Sequence, residues 1–173
     1  ISIDDDIAAD EMADRLRSVL DVVYLAFNEG YSATGGTEIV KTELVAEALR
    51  LARLLADTAP NEPEVHALVA LTHLQASRDR ARVRDGEPVL LADQDRSLWD
   101  RARIDVGLRA LERANALTST RAAFHVQAAI AACHAVAHSV DDTDWARIAR
   151  LYGDLYAIAA SPIVELTRAM AVA

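Results

Sequence analysis

Apolar residues recur along this chain with a helical period. Leu16, Leu20, Val23 and Phe27 fall at i, i+4, i+7 and i+11, one face of a 3.6-residue repeat. That spacing predicts a first helix from about Asp6 to Phe27, stopped by "NEGYSATGG" with its three glycines. Leu44, Ala48, Leu51 and Leu55 predict a second helix over about Glu38 to Thr58, with Thr37 as cap. In "APNEPE", Asn61 and Glu64 have the spacing of a capping box and open a third helix that runs to about Asp79. Its inward residues are Ala67, Leu68, Leu71 and Leu74. A fourth helix is expected over about Arg96 to Leu117 and a fifth over about Ala122 to His138, with Val126, Ile130, Cys133 and Ala137 on one face. A sixth follows from about Asp144 to Ala159, with Trp145, Ile148, Tyr152 and Leu155 inward. Ser161 and Pro162 start a seventh, because proline in a first turn loses no needed N–H.

Only "VRDGEPVLLADQD" breaks the helical pattern, and its Asp-Gly reads as a short hairpin or an extended loop. The expected fold class is therefore all-α: about seven helices as stacked antiparallel hairpins, in a bundle or an α-solenoid. No clean repeat recurs at a period of about 34 residues, so a tetratricopeptide-like pattern can be present only in degenerate form.

Composition narrows the function. With 173 residues and 52% apolar content, the chain is long enough to bury a core and too apolar to be disordered. The net charge is −9, which weighs against binding a phosphate backbone by general charge. The basic run "RDRARVR", Arg78 to Arg84, is short and reads first as a solvated helix end. A single cysteine, Cys133, rules out an internal disulfide or a zinc–thiolate cluster, and its apolar helix implies a buried thiol. No apolar run is long enough to span a bilayer and no signal peptide is visible, so the expected location is cytoplasmic, away from membranes. The chain opens on Ile1 and stops inside an apolar run, so both ends read as cuts in a longer protein.

Phosphate-loop, dinucleotide, nucleophile-elbow and zinc-protease motifs are all missing from the sequence. His134 and His138 stand at i, i+4, but two ligands leave a metal shell unfilled, and His66 and His73 lie two turns apart. No metal, no cofactor and no enzymatic activity are expected. In "YLAFNEGY", Asn28 or Gly30 suits a helix stop, and the charge of Glu29 at a helix C-terminus calls for a partner such as Arg96. "LLADQDRSLWD", Leu90 to Asp100, is the densest polar cluster. Asp95 is placed to cap a helix by accepting from Ser97 or Leu98, and Asp93 to form an Asx turn. Arg96 with Asp100, and Asp100 with Arg103, have ion-pair spacing, and Trp99 is a core anchor whose N–H needs an acceptor. A structural lock accounts for most of these groups, with a binding site second and acid–base catalysis third.

Four motifs, "VVYLAFNEGYSAT", "LLADQDRSLWDRARI", "VQAAIAACHA" and "DTDWARIARLYGDL", occur in an order and at separations that resemble one family. From about Leu20 to Ala173 the chain resembles the C-terminal, tetratricopeptide-like extension of bacterial extracytoplasmic-function RNA polymerase sigma factors. The matching positions are Tyr24, Phe27, Asn28, Glu29, Gly30 and Tyr31; Asp93, Gln94, Asp95, Arg96, Trp99 and Asp100; Gln127 and His134; and Asp144 and Trp145. The sequence departs at Phe124, where the family has tyrosine, at His125, where it has an amide, and at Thr167, where asparagine is usual. The resemblance implies one domain over 1–173 that regulates a sigma factor whose promoter-reading regions 2 and 4 lie outside this chain. Its partners would be those regions and the RNA polymerase core, with promoter DNA reached only through the missing domains. "FNEG" and "DQDR" are then expected to meet as one polar patch. The alternative is a small-molecule sensor with a pocket between helices.

Overall fold

The computed structural model describes residues 9–32 and 38–159. They form six α-helices and a minimal hairpin: α1 Ala9–Ser32, α2 Glu38–Thr58, α3 Pro63–Ala76, β1 Val83–Arg84, β2 Glu87–Pro88, α4 Arg101–Leu117, α5 Ala123–Val136 and α6 Trp145–Ile158. The fold is all-α. The expected seventh helix, with Ser161, Pro162 and Thr167, lies outside the described residues, as does the Thr37 cap. No helix among the described residues is long and apolar enough to cross a membrane. The chain divides into two compact units, Ile1–Leu54 and Leu55–Ala173.

In the first unit, α1 runs past the expected stop and carries Asn28, Glu29, Gly30 and Tyr31 within the helix. A glycine and an asparagine weaken a helix by only about 1 kcal/mol or less each, which tertiary burial outweighs. The burial is visible: Leu20, Val23 and Phe27 are buried, Phe27 completely. Tyr24 and Tyr31 flank the Phe27 ring at i−3 and i+4, with centroids 6.4 and 5.1 Å away and near-parallel planes. The bounds of α2 agree with the periodicity, but its buried face is Val45, Ala48, Leu49 and Ala52. Leu44, Leu51 and Leu55 are half-buried beside it.

The second unit is built around α3 and α5, both buried nearly all round. α3 packs on α4 and α5, and α5 also packs on α6. Contacts at the helix ends fix their directions. Asp100 N–H donates to Ser77 O at 2.8 Å, joining the start of α4 to the end of α3, and Arg113 reaches back to Pro60 O. His125 at the start of α5 bonds Asn115 near the end of α4, and Trp145 at the start of α6 meets His134 near the end of α5. Successive helices therefore run antiparallel, as stacked hairpins. Gly107 lets α4 approach: a Cβ there would sit 2.7 Å from Leu74 Cγ and 3.1 Å from the Ala70 carbonyl. The Asp-Gly hairpin forms, with Asp85 at φ 54° and Gly86 at φ 84°, the pair of positive angles that a two-residue turn of matching twist requires.

Two start signals fall elsewhere than expected. No capping box forms at α3; its cap position is Glu62, whose side chain accepts no capping bond, followed by Pro63 in the first turn. Glu64 Oε2 instead accepts from Phe124 N–H, 3.2 Å away at the head of α5. Helix α4 begins at Arg101, not Arg96, capped by Asp100 through the Arg103 N–H at 3.1 Å. Residues Arg96–Leu98 form a separate 3₁₀ turn.

Candidate functional site

Arg96 is the centre of the "DQDR" segment, and its side chain is buried. Asp95 starts the 3₁₀ turn by accepting from Ser97 N–H at 2.9 Å, as its position predicted, and hydrogen bonds from Ser97 hold its carboxyl below the usual carboxylate range. The turn aims Arg96 at the end of α5. Its Nη1 donates to His134 O at 2.6 Å and to Ala137 O at 2.8 Å, and its Nη2 to Thr143 Oγ1 at 3.3 Å. These carbonyls are orphans of the helix C-terminus, where the backbone dipole favours a cation. The guanidinium also lies over the Trp99 ring, 4.8 Å from its centroid.

The expected Arg96–Asp100 ion pair does not form among the described residues; Asp100 pairs with Arg103, at 3.3 Å. Helix carbonyls outcompete the carboxylate because Asp100 is exposed and committed to capping α4. Trp99 is the core anchor that the sequence implied, but its Nε1 has no acceptor among the described residues. Gln94 is buried and donates to Val89 O at 3.2 Å. Asp93 is exposed in a 3₁₀ turn, Leu91–Asp93, and among the described residues its carboxylate closes no Asx turn. The first motif lies in the other unit: on α1, Phe27 and Gly30 are buried, Tyr24, Asn28 and Tyr31 half-buried and Glu29 exposed.

The third and fourth motifs gather around the same helix end. Asp144 caps α6 by accepting from Arg147 N–H at 2.9 Å. Trp145 is more exposed than its expected inward position, at 39%. Its Nε1 donates to Val140 O at 3.2 Å, and its ring meets the His134 imidazole edge-on, with centroids 5.4 Å apart. His138 does not share the helix with His134, because α5 ends at Val136 and Ala137 is extended. No group of three or more His, Cys, Asp or Glu suited to a metal occurs among the described residues. His66 and His73 each bond a backbone carbonyl, Pro60 O and Val69 O, at 2.9 Å. Cys133 is buried, and burial pushes its thiol up. Phe124 and His125, the departures from the family, both point into the core, where His125 Nε2 donates to Asn115 Oδ1 at 2.9 Å.

A cavity of about 310 Å³ lies between α3, α5 and α6. Its apolar wall includes Leu71, Ile130 and Leu155; Arg78, Gln127, His134 and Tyr152 bring polar groups. Of these, Gln127 and His134 were candidates from sequence. The sequence places Arg78 in a run that reads as a solvated helix end, and Tyr152 in the core face of α6. The available signal was the spacing Leu71, Gln75, Arg78, which carries the inward face of α3 to a cation one residue beyond its cap. Burial, reinforced by the charges of Arg78 and Arg96, pushes the His134 imidazole down to about 4, so the ring is neutral near pH 7. Its Nδ1 is buried without a hydrogen-bond partner among the described residues. Burial pushes the Tyr152 phenol up, so its hydroxyl stays protonated.

Comparison with known proteins places these features in a family context. The chain is 47% identical over 164 residues to an uncharacterized protein of Rhizobium meliloti (strain 1021). The match covers 94% of this chain and 38% of that relative, so the chain spans well under half the length of the protein it matches. No solved structure matches the chain. Residues 15–115, more than half of the chain, match the family of unknown function DUF6596, from α1 through the "DQDR" segment and nearly all of α4. The chain belongs to the DUF6596 family.

Proposed function

We propose that this chain is a cytoplasmic regulatory module, not an enzyme, of an extracytoplasmic-function RNA polymerase sigma factor. It works by protein contact with the sigma regions 2 and 4 of its own polypeptide or with the polymerase core, and so tunes promoter-specific initiation. The four ordered motifs support this reading. So does the length of the Rhizobium relative, which leaves most of its chain free for other domains. α1 carries the reading furthest. Opposite its buried Leu20, Val23 and Phe27, the apolar Val22 and Leu25 are 65% and 67% exposed. Asp21 and Glu29 stand four residues before and after Leu25, on the same exposed face. An apolar strip bordered by carboxylates suits a basic, amphipathic surface such as a DNA-binding domain presents. In this reading the fold is a degenerate tetratricopeptide-like stack.

In vitro transcription tests the proposal with the intact sigma factor, a form lacking this module, and a form carrying Leu25→Glu with Glu29→Lys. The surface variant is expected to reproduce the promoter output of the deletion while the module's melting temperature stays unchanged. Equal output from all three forms would sink the regulatory role. A second reading, a small-molecule sensor that controls the sigma factor, is favoured by the cavity between α3, α5 and α6.

A further inference from the structure

The cavity between α3, α5 and α6 has a chemical polarity that selects its ligand. Near its cationic end stands Arg78, half-buried and one residue past the cap of α3. Among the described residues Arg78 makes no salt bridge, although its charge reaches the neighbouring Asp79. Among the described residues no carboxylate lines the cavity. A guanidinium offers planar paired donors that match a carboxylate. Beside it, the neutral His134 imidazole and the protonated Tyr152 hydroxyl provide further neutral polar groups. Gln75 and Gln127 add amide groups, and the remaining wall is hydrocarbon from Leu71, Leu91, Ile130, Ala131 and Leu155. A packing gap filled by water explains the volume but not a cation that no carboxylate among the described lining residues neutralises. At about 310 Å³ the space is at the small end of ligand pockets.

We infer that this cavity binds a small organic carboxylate with an apolar tail, its carboxylate on the Arg78 guanidinium and its tail against Leu71, Ile130 and Leu155. A free phosphate matches the cation but leaves the hydrocarbon wall unused. An organic cation would meet Arg78 with like charge. The inference rests on the sensing reading only for its biological use; binding itself is a property of the cavity. Because the site adjoins His134, whose carbonyl Arg96 holds, a bound ligand would press on the joint between α5 and α6.

Isothermal titration of the 173-residue chain with hexanoate, hexan-1-ol and hexylamine tests the inference. Hexanoate should saturate a single site, hexan-1-ol should bind about tenfold more weakly or worse, and hexylamine should not bind. Arg78→Gln should weaken hexanoate about tenfold while leaving hexan-1-ol unchanged, and Arg78→Lys should recover part of the loss. Ala131→Leu, which fills the cavity, should abolish binding of both, with circular dichroism reporting the fold of each variant. Equal affinity for hexanoate and hexan-1-ol, or indifference of hexanoate to Arg78→Gln, would overturn the anion assignment. If only the alcohol or the amine binds, the carboxylate class fails and the sensing reading survives. If none binds, both fail.

Discussion

Among the described residues, Arg96 holds its partners through donors that no other side chain duplicates. Two backbone carbonyls at the end of α5 and the Thr143 hydroxyl converge on one guanidinium. Arg96→Ala leaves those carbonyls without their charged donor, and the expected loss is about 2–4 kcal/mol in urea unfolding. Arg96→Lys should recover less than half, since an ammonium lacks the planar fork. At the other end of α5, Glu64→Gln keeps an acceptor for Phe124 N–H but removes the favourable charge, for an expected cost of about 0.5–1 kcal/mol. His134 adds a pH dependence. Its folded-state imidazole titrates at about 4 and its ordinary value is 6.5, so the unfolded chain binds the proton more readily. Its contribution is therefore fully present above pH 6.5 and is lost as the pH falls to about 4, for a loss of about 3 kcal/mol. Comparing urea midpoints at neutral and acid pH for the native chain and His134→Asn should show a smaller acid loss in the variant. An equal loss would remove the assignment. Asp95 was legible as a cap because a capping residue bonds amides two or three positions away, whereas Asp100 was legible only as an ion-pair partner and its cap on α4 came from the structure. Arg96 was legible only as a member of a polar cluster: its acceptors are backbone carbonyls 38 and 41 residues on, and a carbonyl has no signature in sequence.

Helix existence followed from periodicity, and helix ends followed from competition. α1 continues through "NEGY" because Phe27 is wholly buried between Tyr24 and Tyr31, and that packing outweighs the local preference of Asn28 and Gly30 to stop. α4 starts five residues late because Asp95 and Asp100 each cap their own segment, with Trp99 extended between them. Trp99 is buried in that extended position, which accommodates the Arg96 guanidinium on its face. Between α3 and α4, Gly107 is the close approach. Gly107→Ala gains about 1 kcal/mol of helix propensity but drives a methyl into the buried Leu74 and the Ala70 carbonyl. A net destabilisation of about 1–2 kcal/mol is expected, read as a lower melting temperature, and a more stable variant would refute it.

Across the molecule, charge and burial separate what the surface and interior can do. The net charge of −9 predicts that the isolated chain does not retard a promoter duplex at about 0.15 M salt, and retardation there would contradict an interaction surface aimed at protein. The periodicity by itself determined an all-α chain and the approximate positions of six helices, and Asp85-Gly86 offered a hairpin or an extended loop, because each depends on residues within a few positions of one another. Composition determined the acidity and the lack of a disulfide. Tertiary structure alone decided that Glu64 and Arg96 cap the two ends of α5 from other elements. It also decided that His134 and His138 part at the helix end, and that Arg78 lines a cavity. Each of these joins groups dozens of residues apart, or depends on where a helix is halted by its packing, and pairwise spacing along a sequence carries neither.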